Sequence, residues 1–342
     1  MATIHDVARI AGVSITTVSR VLNGVAEVRA ETEERVRRAA AELNFRPNAL
    51  ARGLITRQTS TIGLVVPDIT NPGFPVIARG AEIEAHERGY SLILCNSDGD
   101  VRKESQQINL LLQKQVDGIL LAGTGSPEEE ADILRDIRTP VVLVSREGSP
   151  DFSAVVADTE HGAYLAARRL LELGHRSIAF VAGPEEIVTT RLRYAGYRRA
   201  LLEAGTEVDP SRVSYLTYDR QGGYKATQYL LRSNQPRPQA IFAGNDLMAV
   251  GAIQALAEAG YRVPQDVAVV GFGDMEIASL VSPTLTTVAM PFFRMGKTAT
   301  RLLLDQIDKK ASRPRRIVLG VHLVPRQSCG GSGGDRGQSP RL

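Results

Sequence analysis

The sequence predicts two kinds of structure in one chain of 342 residues. The first is an amino-terminal all-α domain of helix-turn-helix type, and the second is an α/β core of two doubly wound parallel-sheet lobes. Residues 1–45 hold three short amphipathic helical patterns, the first two separated by a glycine turn. From Thr61 onward, ten short apolar runs alternate with mostly longer helical patterns. Ten strands exceed what one small lobe holds, so two lobes of similar size are predicted.

The first two helices are predicted from their caps and apolar sides. Thr3 precedes the first helix, and Asp6, three residues later, completes a capping-box pattern. Gly12 makes the turn, and Ser14 caps the second helix. The apolar sides comprise Ile4, Val7, Ala8 and Ala11 in the first helix and Val18, Val21 and Leu22 in the second.

A third helix is predicted over roughly 31–43, and it lacks a good side-chain cap. Its buried side would hold Val36, Ala40 and Leu43. The next stretch, 47–60, has no apolar core of its own, and Gly53 weakens a short helix over 48–54 by roughly 1 kcal/mol relative to alanine. We expect this segment to fold only with a partner.

The second helix presents a polar face that an isolated short helix does not need. That face comprises Ser14, Ile15, Thr16, Thr17, Ser19 and Arg20. Such side chains can bond phosphates and base edges in the major groove of DNA, although an amphipathic helix in a bundle also fits the pattern. Residues 1–60 hold nine arginines against six carboxylates, an excess that equals the net charge of the whole chain, +3. A polyanion partner is therefore indicated, and a solvated helical face is the alternative.

The ten apolar runs favour parallel sheets covered on both faces by helices. They read TIGLVVPD, YSLILCN, DGILLAG, PVVLVS, SAVVAD, SIAFVAG, VSYLTYD, QAIFAG, VAVVGFG and LTTVAM. The two lobes are predicted to meet near 145–158. Ligands of such sheets bind at the carboxyl ends of the strands. Polar residues follow the strands at 68–74, 96–98, 145–146, 158, 183–193, 218–219, 245–246 and 273–274.

The sequence carries no catalytic or cofactor signature. G-x-x-x-x-G-K-[ST], H-E-x-x-H and C-x-x-C patterns do not occur, and the G-x-G at 271–273 lacks a third glycine. Cys95 lies in an apolar run and is predicted to be a buried, inert thiol. Neither it nor Cys329 has metal-ligand spacing. We therefore predict no enzyme, no cofactor and no metal.

Targeting signals are also missing from the sequence. The start MATIHDVARI is not typical of a signal peptide, and no run of about 18 apolar residues occurs. We expect a cytoplasmic protein without a membrane partner. A free periplasmic-type binding protein would need a signal peptide.

The motifs together resemble the LacI/GalR family of bacterial transcription repressors. The resemblance rests on VARIAGVSITTVSRVLN and RPNALARGL, and on core strings such as DITNPGF, LLELGHRSIAFVAGP, AIFAGNDLMAVGA and SPTLTTV. It runs from about residue 2 to residue 328. It implies a helix-turn-helix DNA-binding domain over 1–46, a hinge helix and linker over 47–60, a two-lobed core over 61–328 and a disordered tail over 329–342.

The resemblance implies that residues 14–23 form a recognition helix. Ile15, Thr16 and Arg20 match base-reading positions of the family. Positions that contact phosphates are matched by Thr3, Ser14, Thr17, Ser19 and Asn23. Asn48 to Leu54 match the hinge helix that enters the minor groove, with Leu54 as the apolar wedge. The partner implied is double-stranded operator DNA of near-palindromic sequence, bound by a homodimer.

The core resembles periplasmic sugar-binding proteins and would hold a small effector between its lobes. Phe74 and Tyr218 match aromatic positions that stack on the effector, and Arg193 and Asn245 match polar positions that hold it. Each has an alternative: Phe74 in the core, Tyr218 on the surface, Arg193 in a salt bridge and Asn245 as a helix cap. Asp274 is the remaining candidate.

Two departures from the family pattern bear on the effector. The family usually has an acidic pair where this chain has Gly273 and Asp274, and often Asp-Arg where it has Ser145 and Arg146. The loss of two carboxylates beside retained arginines favours an acidic effector, a sugar acid or sugar phosphate, over a neutral sugar. The function implied is repression of a catabolic operon, with the effector either releasing DNA or enabling its binding. The alternative is a periplasmic-type small-molecule binding protein without a DNA role.

Overall fold

The computed structural model describes residues 2–22, 28–45, 58–123, 134, 137–146, 148–233, 236–310 and 313–330. The chain divides into two compact units, Met1–Thr59 and Ser60–Leu342. Three predictions lie outside the described residues: the helix stop at Asn23 and Gly24, the hinge residues Asn48 and Leu54, and the tail from 331 onward. No described helix is both long and apolar enough to cross a membrane.

The described residues of the first unit form three helices: α1, Ile4–Ala11; α2, Ile15–Leu22; and α3, Ala30–Glu42. The predicted capping box at Thr3 and Asp6 is confirmed, and Arg29 gives α3 no side-chain cap. The small core contains Val7, Ala8, Ala11, Val18, Val21, Val36, Ala39 and Ala40. Each short helix therefore depends on the other two for the burial of its apolar side.

Arg35 fixes the turn between α1 and α2. Gly12 ends α1 in the left-handed conformation, with φ of +62°. From α3, the Arg35 Nε atom donates a hydrogen bond of 3.2 Å to the Ala11 carbonyl oxygen. This bond satisfies a carbonyl at the end of α1 and holds the turn against α3.

The first lobe of the core is built on a sheet of six parallel strands in the order β11-β5-β4-β3-β1-β2. The strands are β1, Thr61–Val66; β2, Ser91–Asn96; β3, Gly118–Ala122; β4, Val141–Val144; β5, Ser153–Ala157; and β11, Arg316–Leu319. Its central strands β3 and β4 are buried throughout, as expected for a parallel sheet covered on both faces.

The second lobe contains four parallel strands in the order β7-β6-β8-β9. These are β6, Ile178–Ala182; β7, Val213–Tyr215; β8, Ala240–Ala243; and β9, Ala268–Val270. An antiparallel pair follows, made of β10, Thr287–Ala289, and β12, His322–Val324. Single parallel bridges from Val270 to Thr286 and from Gly273 to Ala289 connect β9 to this pair.

Helices cover both sheets. In chain order they are α4, Gly73–Glu87; α5, Val101–Gln113; α6, Thr159–Glu172; α7, Val188–Glu203; α8, Arg220–Arg232; α9, Asp246–Glu258; α10, Ile277–Leu280; and α11, Phe292–Ile307. A 3-10 turn, Pro210–Arg212, precedes β7.

All ten predicted runs form strands, but two strands were not predicted. Strands β11 and β12 are short, and most of their residues are exposed or half-buried. They therefore lack the continuous apolar pattern that identified the others. The boundary between the lobes falls at the end of the predicted 145–158 range, since β5 still belongs to the first sheet.

The prediction of a disordered tail is wrong for its first residue, Cys329, which is packed beside Ser328, the last residue of the predicted core. The Ser328 hydroxyl donates to the Val269 carbonyl oxygen at 2.6 Å, and Cys329 is 2% exposed in the core of the second lobe. A polar, glycine-rich composition did not reveal this docking beside β9. The buried thiol at Cys95 is confirmed, and burial raises its pKa, as befits an inert thiol.

Glycines bring neighbouring helices into backbone contact in both lobes. A Cβ atom added to Gly296 of α11 would lie closer than 3.0 Å to the Ile77 carbonyl oxygen of α4, and one added to Gly80 of α4 would meet Phe293 of α11 in the same way. In the second lobe, Gly196 and Gly251 similarly join α7 to α6 and α9 to α8. Any side chain at these crossings would push the two helices apart.

We therefore predict that Gly296→Ala lowers the free energy of unfolding by roughly 1–3 kcal/mol, because overpacking outweighs the better helix propensity of alanine. Urea titrations followed by circular dichroism would measure the change. Gly320→Ala is the matched control, since a Cβ atom there meets nothing within 4 Å. Equal stability of the two variants would contradict the packing argument.

Candidate functional site

The α2 helix presents a polar surface on the side opposite its buried valines. Thr3, Ser14, Ile15, Thr16 and Arg20 are exposed, and Thr17 and Ser19 are half-buried. At 40% exposure, Ile15 is one of the large apolar residues left open to solvent. Seven of the ten predicted DNA contacts therefore lie on accessible or partly accessible surface, while Asn23, Asn48 and Leu54 lie outside the described residues.

Hydrogen bonds organise this surface. The Ser14 Oγ atom accepts from the Thr17 amide at 3.2 Å and lies 2.9 Å from the Thr17 hydroxyl. The Thr3 hydroxyl donates to the Asp6 carboxylate at 2.8 Å. Two of the five predicted phosphate-contacting positions, Thr3 and Ser14, are thus also helix caps, which holds their side chains in place.

Arg20 lacks the carboxylate partner that Arg9, Arg37 and Arg38 have. Arg9 pairs with Asp6, while Arg37 and Arg38 pair with Glu33 and Glu34, respectively. Among the described residues, Arg20 makes no ion pair. An exposed guanidinium without a counter-charge can donate to phosphates or, in bidentate fashion, to guanine.

A second site lies between the lobes of the core. A cavity of about 610 Å³ opens at the carboxyl ends of the strands, a size typical of small-molecule sites. The first lobe and the crossing segment contribute Pro67, Asp68, Asn71, Gly73, Phe74, Asp98, Gly99, Ser145, Met290 and Phe292; the second lobe contributes Pro184, Ile187, Thr189, Arg193, Thr217, Tyr218, Asp219, Asn245, Phe272 and Met275. Four predicted effector contacts are therefore brought together: Phe74, Arg193, Tyr218 and Asn245.

Tyr218 is held rigidly in the wall of this cavity. Its hydroxyl accepts from Arg193 Nη1 at 2.8 Å and shares a 2.7 Å hydrogen bond with the buried hydroxyl of Thr190. Its ring packs on Gly183, where an added Cβ atom would lie closer than 3.0 Å to the ring. The Arg193 guanidinium stands over the Phe272 ring at 4.4 Å and the Tyr218 ring at 5.4 Å, a cation–π arrangement.

Asn245 lines the cavity and also caps the α9 helix. Its Oδ1 atom accepts from the Met248 amide at 2.8 Å and caps α9, while Nδ2 donates to the Tyr218 carbonyl oxygen at 3.0 Å. The side chain is 5% exposed. Asn245 is therefore both a helix cap, as the alternative interpretation predicted, and a residue of the cavity wall.

Two charged residues do not face the cavity as the sequence suggested. Asp274 is not among the lining residues, and its carboxylate pairs with Arg326 at 2.6 Å. Arg146 is 1% exposed and pairs with Glu104 at 2.9 Å. In both cases, a partner that is distant in sequence pairs with the side chain, which local pattern reasoning could not foresee.

Sequence reasoning also missed the lining side chains of Phe272, Met275, Met290 and Phe292, together with those of Pro67 and Thr217. Each lies at or just beyond a strand end or helix start. Their positions could have identified them, but the prediction was restricted to polar groups at the strand ends. The apolar residues among them form much of the non-polar surface that small-molecule sites require.

Behind the cavity, a buried carboxylate ties the segment after β9 to α9. Asp246 is fully buried, and its two oxygens accept from the Thr287 hydroxyl and, at 2.7 Å, from the Met275 amide. Burial raises the pKa of Asp246 to about 6, and the two hydrogen bonds oppose this shift.

This raised pKa predicts a pH-dependent stability. The folded protein binds the proton more tightly than the unfolded chain does, so the stabilisation is full below a pH of about 4 and is lost as the pH rises through about 6. Relative to Asp246→Asn, the free energy of unfolding of the original protein should fall by roughly 3 kcal/mol from about pH 4 to about pH 7. Urea titrations at several pH values measure this difference, and parallel pH profiles would contradict the assignment.

Together, fold and cavity define a class of protein in which a small helix-turn-helix unit is followed by a two-lobed small-molecule binding core. Comparison with known families agrees. A family profile described as "Bacterial regulatory proteins, lacI family" matches residues 3–48, and one described as "Periplasmic binding protein-like domain" matches residues 167–329.

Full-length relatives place the chain more closely. It is 40% identical to the ribose operon repressor of Escherichia coli (strain K12) over 96% of this chain and 100% of that protein. It is also 40% identical to the HTH-type transcriptional repressor PurR of Pectobacterium carotovorum subsp. carotovorum (strain PC1), over 96% of this chain and 97% of that protein. The lac repressor dimer bound to operator and the anti-inducer ONPF is similar in structure, with a TM-score of 0.87, 30% identity and coverage of 96% and 99%. The chain therefore belongs to the lacI family of bacterial regulatory proteins.

Proposed function

We propose that this protein is a sequence-specific transcriptional repressor that binds operator DNA as a homodimer, under the control of a small effector held between the core lobes. The observation that carries the proposal is the presence, in one chain, of an exposed α2 surface with an unpaired Arg20 and a cavity of about 610 Å³ between two lobes. A catabolic operon is the proposed target.

In this proposal, the exposed side of α2 lies in the major groove. Arg20, Ile15 and Thr16 contact bases, with Ile15 restricted to apolar contact such as a thymine methyl group. Phosphate contacts come from Thr3, Ser14, Thr17, Ser19 and Asn23. A hinge over 47–60, including Asn48 and Leu54, would enter the minor groove and join the domain over 1–46 to the core. The lac repressor structure, a dimer on operator, supports both the dimer and a near-palindromic site.

The effector would lie in the cavity with its ring against Phe74 and Tyr218, while Arg193 and Asn245 hold its polar groups. A ligand changes DNA affinity only through different affinities for two arrangements of the lobes. The effector therefore acts as an inducer if it favours the arrangement with weaker DNA binding, and as a corepressor if it favours the other.

The proposed function requires no catalytic step. The proposed location is the cytoplasm, where DNA is accessible. The family consists of regulatory proteins. The cavity lining combines aromatic and apolar side chains with a few polar groups, as in ligand-binding sites. The alternative function is that of a small-molecule binding protein of periplasmic type without a DNA role. Such a protein would use the same cavity but would not require Arg20.

Selection of genomic fragments by the purified protein at fixed salt tests the function. We expect one near-palindromic motif to be enriched, and Arg20→Ala to weaken its binding by roughly 5- to 150-fold, because a bidentate base contact contributes about 1–3 kcal/mol.

Arg37→Ala is the control, since this exposed arginine of α3 already pairs with Glu33. A repressor requires the control to enrich the same motif as the original protein. Enrichment of no motif, with or without candidate metabolites, would favour the binding protein without a DNA role. An unaltered motif and affinity in Arg20→Ala would contradict the base contact assigned to Arg20.

A further inference from the structure

The charged side chains around the cavity differ in how far their hydrogen bonds are satisfied within the protein. The lining includes three carboxylates, Asp68, Asp98 and Asp219, and the guanidinium of Arg193. By formal charge alone, the carboxylates outnumber the cation. Which of these groups is available to a ligand depends on their partners.

All three carboxylates bond to donors of their own segments. Asp68 Oδ1 accepts from the Thr70 amide at 2.8 Å and from its hydroxyl at 2.6 Å. Asp98 pairs with Lys103 at 2.7 Å, which offsets its charge. Asp219 caps α8 by accepting from the Gly222 amide at 2.6 Å. Each carboxylate thus has a local role that does not require a ligand.

Arg193 is not satisfied in this way. Nη1 donates to the Tyr218 hydroxyl at 2.8 Å, but the buried Nε–H has no acceptor among the described residues. No carboxylate in the described part of the chain forms an ion pair with this guanidinium. A half-buried cation without a counter-charge gains most from an anionic acceptor that a ligand brings.

The strand end beside Arg193 explains why the protein supplies no counter-charge. The guanidinium lies over the ring of Phe272, and the next residue is Gly273, which has no side chain and a φ of +138°. Asp274 follows, but its carboxylate is held by Arg326. Neither residue after Phe272 therefore neutralises Arg193.

The start of α7 adds to the positive potential near Arg193. Ile187 and Thr189 line the cavity, and Ile187 occupies the N-cap position without a side-chain hydrogen bond. By contrast, Asp219 caps α8 and Asn245 caps α9. Uncapped amides and the positive end of the helix dipole favour a negative group at the first turn of α7.

We propose that the effector is an anionic sugar derivative whose carboxylate or phosphate pairs with Arg193 beside the first turn of α7. The sugar ring packs against Phe74 and Tyr218. This inference rests on the proposed function of the same cavity and narrows its ligand class. A planar guanidinium matches either anion through paired hydrogen bonds, and a cavity of about 610 Å³ has room for such a molecule.

Calorimetric titration of the full-length protein with matched sugars tests the inference. The panel contains D-glucose, D-gluconate, D-glucuronate and D-glucose 6-phosphate, the same four forms of D-galactose, and D-ribose with D-ribose 5-phosphate. We expect at least one anionic member to bind roughly tenfold or more tightly than its neutral parent, because charge-assisted hydrogen bonds exceed neutral ones. The acid and phosphate arms show which anion is preferred, and either result supports the inference.

Arg193→Gln should lower the affinity for the anion by roughly tenfold or more and remove the preference over the neutral parent. Arg198→Gln, an exposed arginine on the same helix, should retain both, and circular dichroism verifies that each variant is folded. The inference is overturned if a neutral sugar binds most tightly, if no anionic member binds, or if Arg193→Gln keeps the preference.

Operator binding by the same preparation, measured without sugar, separates this result from the proposed function. Binding of an anionic sugar by a protein that selects no DNA motif would leave the ligand class intact and contradict the repressor. Selection of a motif by a protein that prefers neutral sugars would support the repressor and overturn the proposed ligand class.

Discussion

The chain passes between the two lobes of the core three times, and the cavity and its regulation depend on this constraint. It crosses from β5 to α6 near Asp158, from β10 to α11 through Met290 and Pro291, and from β11 to β12 through Gly320 and Val321. Three crossings allow the lobes to change their angle but not to separate. Met290 and Val321 pack against the cores of both lobes, so the crossings are also packed structure. Since Met290 lines the cavity, a ligand contacts one of the crossings directly.

Each lobe is suited to move as a rigid piece around these crossings. Helix pairs meet at glycines in both lobes, so their packing leaves no slack for gradual deformation. On the second-lobe wall, Thr190, Arg193 and Gly183 hold Tyr218 in one orientation. Such preorganisation lowers the cost of binding. Ligand binding is then expected to alter the angle between the lobes rather than the interior of either.

Much of this arrangement could be predicted from the sequence because it depends on local patterns. The capping box at Thr3 and the buried parallel strands have signatures within a few residues of each other. The strand-end rule also located most of the cavity lining. Strands β11 and β12 could not be predicted, because short and largely exposed strands carry no continuous apolar run.

The ion pairs between residues distant in sequence could not be predicted from the sequence. Asp274 is held by Arg326, 52 residues later, and Arg146 by Glu104, 42 residues earlier. Only the fold brings such partners together, and each pairing withdrew a charge that the sequence had assigned to the cavity. The docking of Ser328 and Cys329 beside β9 escaped prediction for the same reason.

The central claim is that the cavity and the DNA-binding surface are coupled. Fluorescence anisotropy of labelled operator, with and without a saturating amount of the sugar that binds most tightly, tests it directly. We expect operator affinity to change by roughly 5- to 150-fold in one direction, and sugar affinity to change by the same factor when operator is added. Identical operator affinities with the cavity empty and full would contradict the account.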